Sequence, residues 1–193
     1  RNFLADNKAD EAKKYIAIAE KVAPNHQHVA FFSAELLFRE GKLQDAYNEL
    51  QKAYKVAPNY TPGHFLLGLI TYGLQQYEQA EEALSSFVAN QPEHVGARKI
   101  LADTRLKLSN PDGAIAVLVP IISKAAGDPQ FLALLSDAYM RTGNPTKSTQ
   151  YLQQALDIAP DAKTLRTQLA ATQMMAGAMD EALTNLQQVA DQD

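Results

Sequence analysis

The sequence predicts an all-α fold, a right-handed superhelical solenoid of antiparallel helix pairs, and three observations carry that prediction. Pro24, Pro58 and Pro92 stand 34 residues apart, and the same step, passing Ala126, lands on Pro160. Small residues recur at Ala12, Ala46, Ala80, Ala114, Ser148 and Ala182, each followed four positions later by an aliphatic one: Ile16, Leu50, Leu84, Leu118, Leu152 and Leu186. Leu67, Leu101, Leu135 and Leu169 form a third column, followed directly by Gly68, Ala102, Ser136 and Ala170. A fixed period of this length means stacked units that each bury an apolar face on a neighbour.

In this register residues 1–26 are the tail of a truncated repeat, and repeats follow over 27–60, 61–94, 95–128, 129–162 and 163–193. Each should hold two helices, A then B, of about 14 residues. Small residues let the paired backbones approach, while leucines three and four apart build one apolar stripe per helix. The opening Arg1-Asn2-Phe3 lacks an initiator Met and a signal peptide, so the chain reads as a piece of a longer protein with Arg1 inside a helix A. Gly41, Gly143 and Gly177 share one position between helices A and B, where a helix end favours a left-handed residue. Thr61-Pro62 and Asp128-Pro129 read as N-cap and first residue of a helix A, and Asn110-Pro111 and Asn144-Pro145 as those of a helix B. Pro58, Pro92 and Pro160 stop helix B, because proline removes a helical donor and clashes with the preceding turn. At Ala126 the stop must come from Gly127 and Pro129. No polar capping helix follows the last helix B, so Leu183, Leu186 or Val189 should be exposed and the fragment should self-associate end to end or fray.

The Leu-Gly pair, the small residue with its aliphatic four later and the closing proline resemble the tetratricopeptide repeat, over the whole chain without insertion. The column usually filled by Trp holds Ala30, His64, Arg98, Leu132 and Arg166, which predicts poorer packing there. The resemblance implies a concave groove lined by the A helices, and positions 2, 5, 9 and 12 of each repeat fall on one helix side. They read His28, Phe31, Glu35 and Phe38, with Phe32 adjacent, in the second repeat, and Pro62, Phe65, Leu69 and Tyr72 in the third. Gly96, Lys99, Asp103 and Leu106 follow in the fourth, Gln130, Ala133, Asp137 and Met140 in the fifth, and Thr164, Thr167, Ala171 and Met174 in the sixth. The stripe is aromatic in the second and third repeats and charged in the fourth and fifth. Phe31, Phe65, Leu69 and Tyr72 are therefore the expected anchors for a protein or peptide ligand, with Lys99, Asp103, Asp137 and Arg141 tuning orientation and association rate. Phe38 and Tyr72 can equally serve the packing of neighbouring helices.

Other function classes are disfavoured. Eighteen basic against 22 acidic residues leave a net charge of -4, which makes nucleic acid an improbable partner. The absence of cysteine excludes disulfides, thiol nucleophiles and thiolate zinc sites. The longest apolar stretch, Ala114 to Ile122, is nine residues with Pro120 inside it, against about 20 for a transmembrane helix. His26 and His94 share a repeat position but lie two repeats apart, and His28 lacks the four-residue spacing of a paired ligand, so neither metal nor other cofactor is expected. No phosphate loop, nucleophile elbow or carboxylate pair points to an enzyme. Tetratricopeptide domains that hold acidic chaperone tails resemble one another in a Lys, Asn, Asn, Lys and Arg clamp. Here Lys99 matches one place while Asp103 stands where an Asn should be, which disfavours that ligand.

Three strings, Ala97 to Ala102, Ser109 to Ile115 and Gly127 to Leu135, look like the long repeat lipoprotein of the bacterial exosortase (PEP-CTERM) sorting and exopolysaccharide system. That resemblance implies a lipid-anchored scaffold of the bacterial envelope or periplasm. The expected function is a non-enzymatic binding scaffold; the alternatives are a structural, self-associating array or a cytoplasmic adaptor.

Overall fold

The computed structural model describes residues 9–24 and 26–191, all-helical and without strands over those residues. The chain forms two compact units that divide between Pro92 and Glu93. The first unit contains α1 (Ala9–Val22), α2 (Gln27–Arg39), α3 (Leu43–Val56), α4 (Thr61–Gly73) and α5 (Tyr77–Asn90). The second contains α6 (Val95–Lys107), α7 (Pro111–Leu118), a 3-10 turn (Val119–Ile121), α8 (Ile122–Ala125), α9 (Pro129–Arg141), α10 (Pro145–Ile158), α11 (Lys163–Met175) and α12 (Met179–Ala190). Helices α2, α4, α6, α9 and α11 are the A helices. The expectation placing Arg1 inside a helix A lies outside the described residues, as does Asp193.

The small-residue columns build the pairs. Ala46, Ala80, Ala114, Ser148 and Ala182 on the B helices are buried, as are Ala34, Gly68, Ala102, Ser136 and Ala170 on the A helices. Residues without long side chains at these positions let the backbones approach. Where both are serine, the hydroxyls satisfy each other: Ser136 Oγ lies 2.7 Å from Ser148 Oγ and 3.0 Å from the Ser148 carbonyl. In the first unit Ala34, Ala46, Leu50, Ala53, Leu66 and Ile70 form one core, against which Phe31, Phe38 and Tyr54 pack. In the second, Leu152 and Leu156 of α10 meet Leu165 and Leu169 of α11.

Every helix A ends alike. Gly41, Gly143 and Gly177 have φ of +75°, +74° and +82°, as the A–B turn requires, and Gln75 and Ser109 occupy the same left-handed position at +61° and +57°. After α2 the Lys42 N–H donates to the Leu37 carbonyl at 2.9 Å and the Gly41 N–H to the Phe38 carbonyl at 3.0 Å. This double closure, the Schellman arrangement, recurs at Gln75–Gln76, Ser109–Asn110, Gly143–Asn144 and Gly177–Ala178. Helices α3, α5 and α10 end two residues before Pro58, Pro92 and Pro160, as expected.

Asn110, Asn144 and Asp128 are N-caps, accepting from the N–H groups of Gly113 (2.9 Å), Lys147 (3.1 Å) and both Gln130 (2.9 Å) and Phe131 (3.1 Å). Two differences from expectation concern proline. Thr61 is not a cap: the N-cap of α4 is Tyr60, and Thr61 and Pro62 are its first two helical residues. The helix opened by Pro111 is broken at Val119–Ile121 around Pro120, which lacks the N–H needed to continue the ladder. Arg98 of α6 donates to the Val117 carbonyl beside that break. The stop of α8 at Ala125, just before Ala126 and Gly127, falls as expected.

The contact between α1 and α2 is fastened by charge. Glu40, directly after α2, lies 2.7 Å from Lys13 of α1 and 2.8 Å from Lys42. Hydrogen bonds from those two ammonium groups lower its pKa from 4.5 to about 2. A carboxylate with a lowered folded-state pKa stabilises above its ordinary value and loses that contribution as pH falls through the folded value. Amide exchange in α1 should therefore accelerate, relative to α9, as pH drops from 4.5 to about 2. Glu40→Gln should show the same acceleration already at neutral pH and little further acid dependence.

Candidate functional site

Positions 2, 5 and 9 of the A helices lie on an accessible face in both units, but position 12 does not do so uniformly. Leu106 is only 2% exposed, which corrects its place in the expected stripe, while Phe38, like Phe31, is half-buried and packs against the first unit's core. Tyr72 is half-buried with its ring edge toward Tyr77 of α5 at 5.7 Å.

In the first unit the N-terminal half of α2 carries a group of rings. His26 and His28 stack at 5.1 Å, and Phe31 meets Phe32 edge to face at 5.4 Å. Tyr60, from the connection before α4, meets both His28 and Phe31 at 5.4 Å. Phe32 is 41% exposed and His28 is exposed, whereas Phe31 is half-buried. Glu35, one turn further on, accepts from Arg39 at 3.0 Å. On α4, Phe65 stacks on Phe87 of α5 at 4.9 Å, and Leu69 is half-buried beside it on the same helix face. The expected anchors Phe31, Phe65, Leu69 and Tyr72 are thus all half-buried, while His28 and Phe32 on α2 are exposed.

In the second unit the charged stripe is largely self-satisfied. Lys99 donates to Asp128 at 2.7 Å and to Gln130 at 3.3 Å. Burial pushes the Asp128 carboxyl up, but Lys99 and the N–H groups of Phe131 and Gln130 outweigh it and hold the pKa below the usual range. Arg141 holds Asp137 with two nitrogens at 3.0 Å, donates to the Leu106 carbonyl at 3.2 Å, and is attracted by Asp103. These side chains brace α6 against α9.

Beside them lies a cleft of about 700 Å3. Gln130, Ala133, Asp137 and Met140 of α9 line one side, and Thr164, Leu165, Gln168, Ala171 and Met175 of α11 the other. On α9 these are the expected positions 2, 5, 9 and 12. On α11 the lining is rotated: Thr167 and Met174 are exposed outside it, and Leu165, Gln168 and Met175 take part instead. Spacings of three and four are equally compatible with a helix face, so the sequence could not choose between the two stripes.

The positions usually filled by Trp reach toward helix B in other ways. Arg166 donates to Asn185 and Gln188 of α12, and also to the Pro160 carbonyl at 2.6 Å. His64 stacks on Tyr54 at 5.5 Å, and burial pushes the Tyr54 hydroxyl pKa up. His26 and His94 are helix caps: their Nδ1 atoms accept from the N–H groups of His28 (3.3 Å) and Ala97 (3.0 Å). Among the described residues no three His, Cys, Asp or Glu side chains are grouped to share a metal ion, and no helix is long and apolar enough to cross a membrane.

Comparison with known proteins agrees with the helix pairs. The tetratricopeptide repeat model matches residues 72–138 and 139–193, and the model for anaphase-promoting complex, cyclosome, subunit 3 matches residues 8–87. No curated protein matches the sequence. Among solved structures, MamA from Desulfovibrio magneticus RS-1 is similar at 19% identity and a TM-score of 0.80, over 86% of this chain and 93% of that one. YrrB, described as a TPR protein with an unusual peptide-binding site, is similar at 15% identity and a TM-score of 0.81, over 91% of each chain. PilF of Pseudomonas aeruginosa is similar at 16% identity and a TM-score of 0.77, over 97% of this chain and 85% of that one. At these identities the likeness concerns the fold.

Proposed function

We propose that this chain, which belongs to the tetratricopeptide repeat family, is a non-catalytic scaffold that holds a protein or peptide segment on the faces of its A helices. The observation that carries this reading is the cleft between α9 and α11. Its walls include Ala133, Met140, Leu165 and Met175, with Gln130, Asp137 and Gln168 among its polar groups. Burying one large apolar side chain there is worth about 1.5–3 kcal/mol, and the polar groups can fix the orientation of a backbone beside it. YrrB, whose fold this chain shares, is described as having a peptide-binding site, which supports the same use of the fold.

Ala171 is exposed on the cleft, so Ala171→Arg should keep helicity while filling the space. Peptides selected for wild-type binding from a random decapeptide array should lose at least about tenfold in affinity. Unchanged affinity would exclude the cleft as the site. The strings resembling an exosortase-system lipoprotein support a setting in bacterial exopolysaccharide export and PEP-CTERM protein sorting, with envelope fractionation as its test.

A second reading, a self-associating array, is favoured by α12. Leu183 and Leu186 are 57% and 38% exposed there, as expected, while Val189 is half-buried. Sedimentation of the wild type against Leu183→Glu separates the readings: assembly that the charge abolishes supports the array.

A further inference from the structure

The aromatic face of the first unit narrows the chemistry of what it holds, on the reading that A-helix faces are contact surfaces. His28, Phe31, Phe32 and Glu35 follow a three and four residue spacing along α2, and Tyr60 adds its ring from the connection before α4. Ring faces are electron-rich and attract cations, arginine by stacking its planar guanidinium and lysine as a point charge above the ring. Phe32 and His28 offer accessible surface for such a contact.

The surrounding charge has the same sign preference. Over residues 9–92 ten acidic residues stand against seven basic ones, the nearest of the latter to α4 in sequence being Lys52 and Lys55 of α3. From Val56 to Pro92 there are Glu78, Glu81 and Glu82 and not one Lys or Arg, and α4 contains no Asp, Glu, Lys or Arg. On α2 the charged residues are Glu35 and Arg39, and Arg39 is already bound to Glu35. An acidic segment laid on this face would be repelled by the helix pair behind it. A cationic segment would be drawn in by the long-range field and then held by the rings. Apolar residues of the same segment would find Phe65 and Leu69 one repeat further along.

We propose that the face formed by α2, Tyr60 and α4 receives a peptide in which arginine or lysine alternates with apolar side chains, the cation stacking on the rings around Phe32.

Three short labelled peptides test this by fluorescence anisotropy on the full chain: one alternating Leu and Arg, one alternating Leu and Glu, and one alternating Ser and Arg. The Leu/Arg peptide should bind about tenfold more tightly than either other. Phe32→Ala should weaken it about tenfold with unchanged helicity. Phe32→Lys should weaken the Leu/Arg peptide further and improve the Leu/Glu peptide. Equal or tighter Leu/Glu binding that Phe32→Ala still weakens would overturn the cationic class while leaving the A-helix reading intact. Equal binding of the Ser/Arg peptide would reduce the effect to bulk charge and overturn the proposal. Insensitivity to both Phe32 variants would remove the site from this face, and loss in Ala171→Arg would then assign the peptide to the second unit's cleft. Failure of all three peptides to bind the wild type would overturn the proposal outright.

Discussion

Leu152→Ala should cost about 3 kcal/mol, whereas Leu186→Ala, the same change one repeat later, should cost about 1 kcal/mol or less. The two leucines occupy the same helix-B column, together with Leu50, Leu84 and Leu118. In the three earlier repeats the column is fully buried; Leu152 is 2% exposed and Leu186 is 38% exposed. The difference lies in the neighbour: Leu152 is enclosed by Leu165 and Leu169 of α11, and nothing described encloses Leu186 in that way. Truncating Leu152 leaves a cavity between packed helices, while the space left at Leu186 opens to water. Urea denaturation followed by circular dichroism, with amide exchange in α11 as the local readout, measures both. Equal losses would mean that the α12 face is covered in solution, and would move the self-associating array ahead.

Gly68→Ala should destabilise by about 2 kcal/mol, against the ordinary gain of about 1 kcal/mol when a mid-helix glycine becomes alanine. A Cβ at Gly68 would lie 2.5 Å from Leu84 Cγ and 2.7 Å from Leu84 Cδ2, and Leu84 is itself fully buried, so it has no solvent side to turn toward. Other repeats accept alanine in this column, at Ala34, Ala102 and Ala170. The obstacle is therefore the way Leu84 leans on α4 and not the column. In a double-mutant cycle with Leu84→Ala the penalty of Gly68→Ala should disappear, leaving a favourable coupling of at least about 1 kcal/mol. A Gly68→Ala protein as stable as the wild type would show that Leu84 can rearrange.

The pairing of helices was legible in the sequence because prolines, small residues and leucines repeat at one step, and local chemistry fixes what each does. Asn110, Asn144 and Asp128 could be assigned as caps for the same reason: each requirement is met within three residues. Gln75 and Ser109 were not recognisable as left-handed, since their side chains give no sign of a conformation that the closure of the turn imposes. His26 and His94 share a repeat position in the sequence, but nothing there shows that they are caps, a role that depends on a ring nitrogen facing a backbone N–H. Of the cleft proposed as the site, the α9 wall coincides with positions 2, 5, 9 and 12 read from spacing. The α11 wall does not, because it is set by how α11 is turned against α10. Nor could spacing show that Lys99 is held by Asp128, 29 positions away.

The doubly closed turn after each helix A also divides the chain into places where its length is fixed and places where it is free. Between helices A and B, three residues and two backbone bonds leave no slack, so a residue added there must break a closure or rotate helix B off its partner. Between helices B and A the chain leaves the helical conformation, at Ala57, Gln91 and Ala159 with φ near -130°. Added length there can loop outward while both flanking helices keep their register. For anyone joining this protein to another domain, inserting a tag or exchanging whole repeats, the junctions to use are those at Pro58, Pro92 and Pro160, with the A–B turns left untouched.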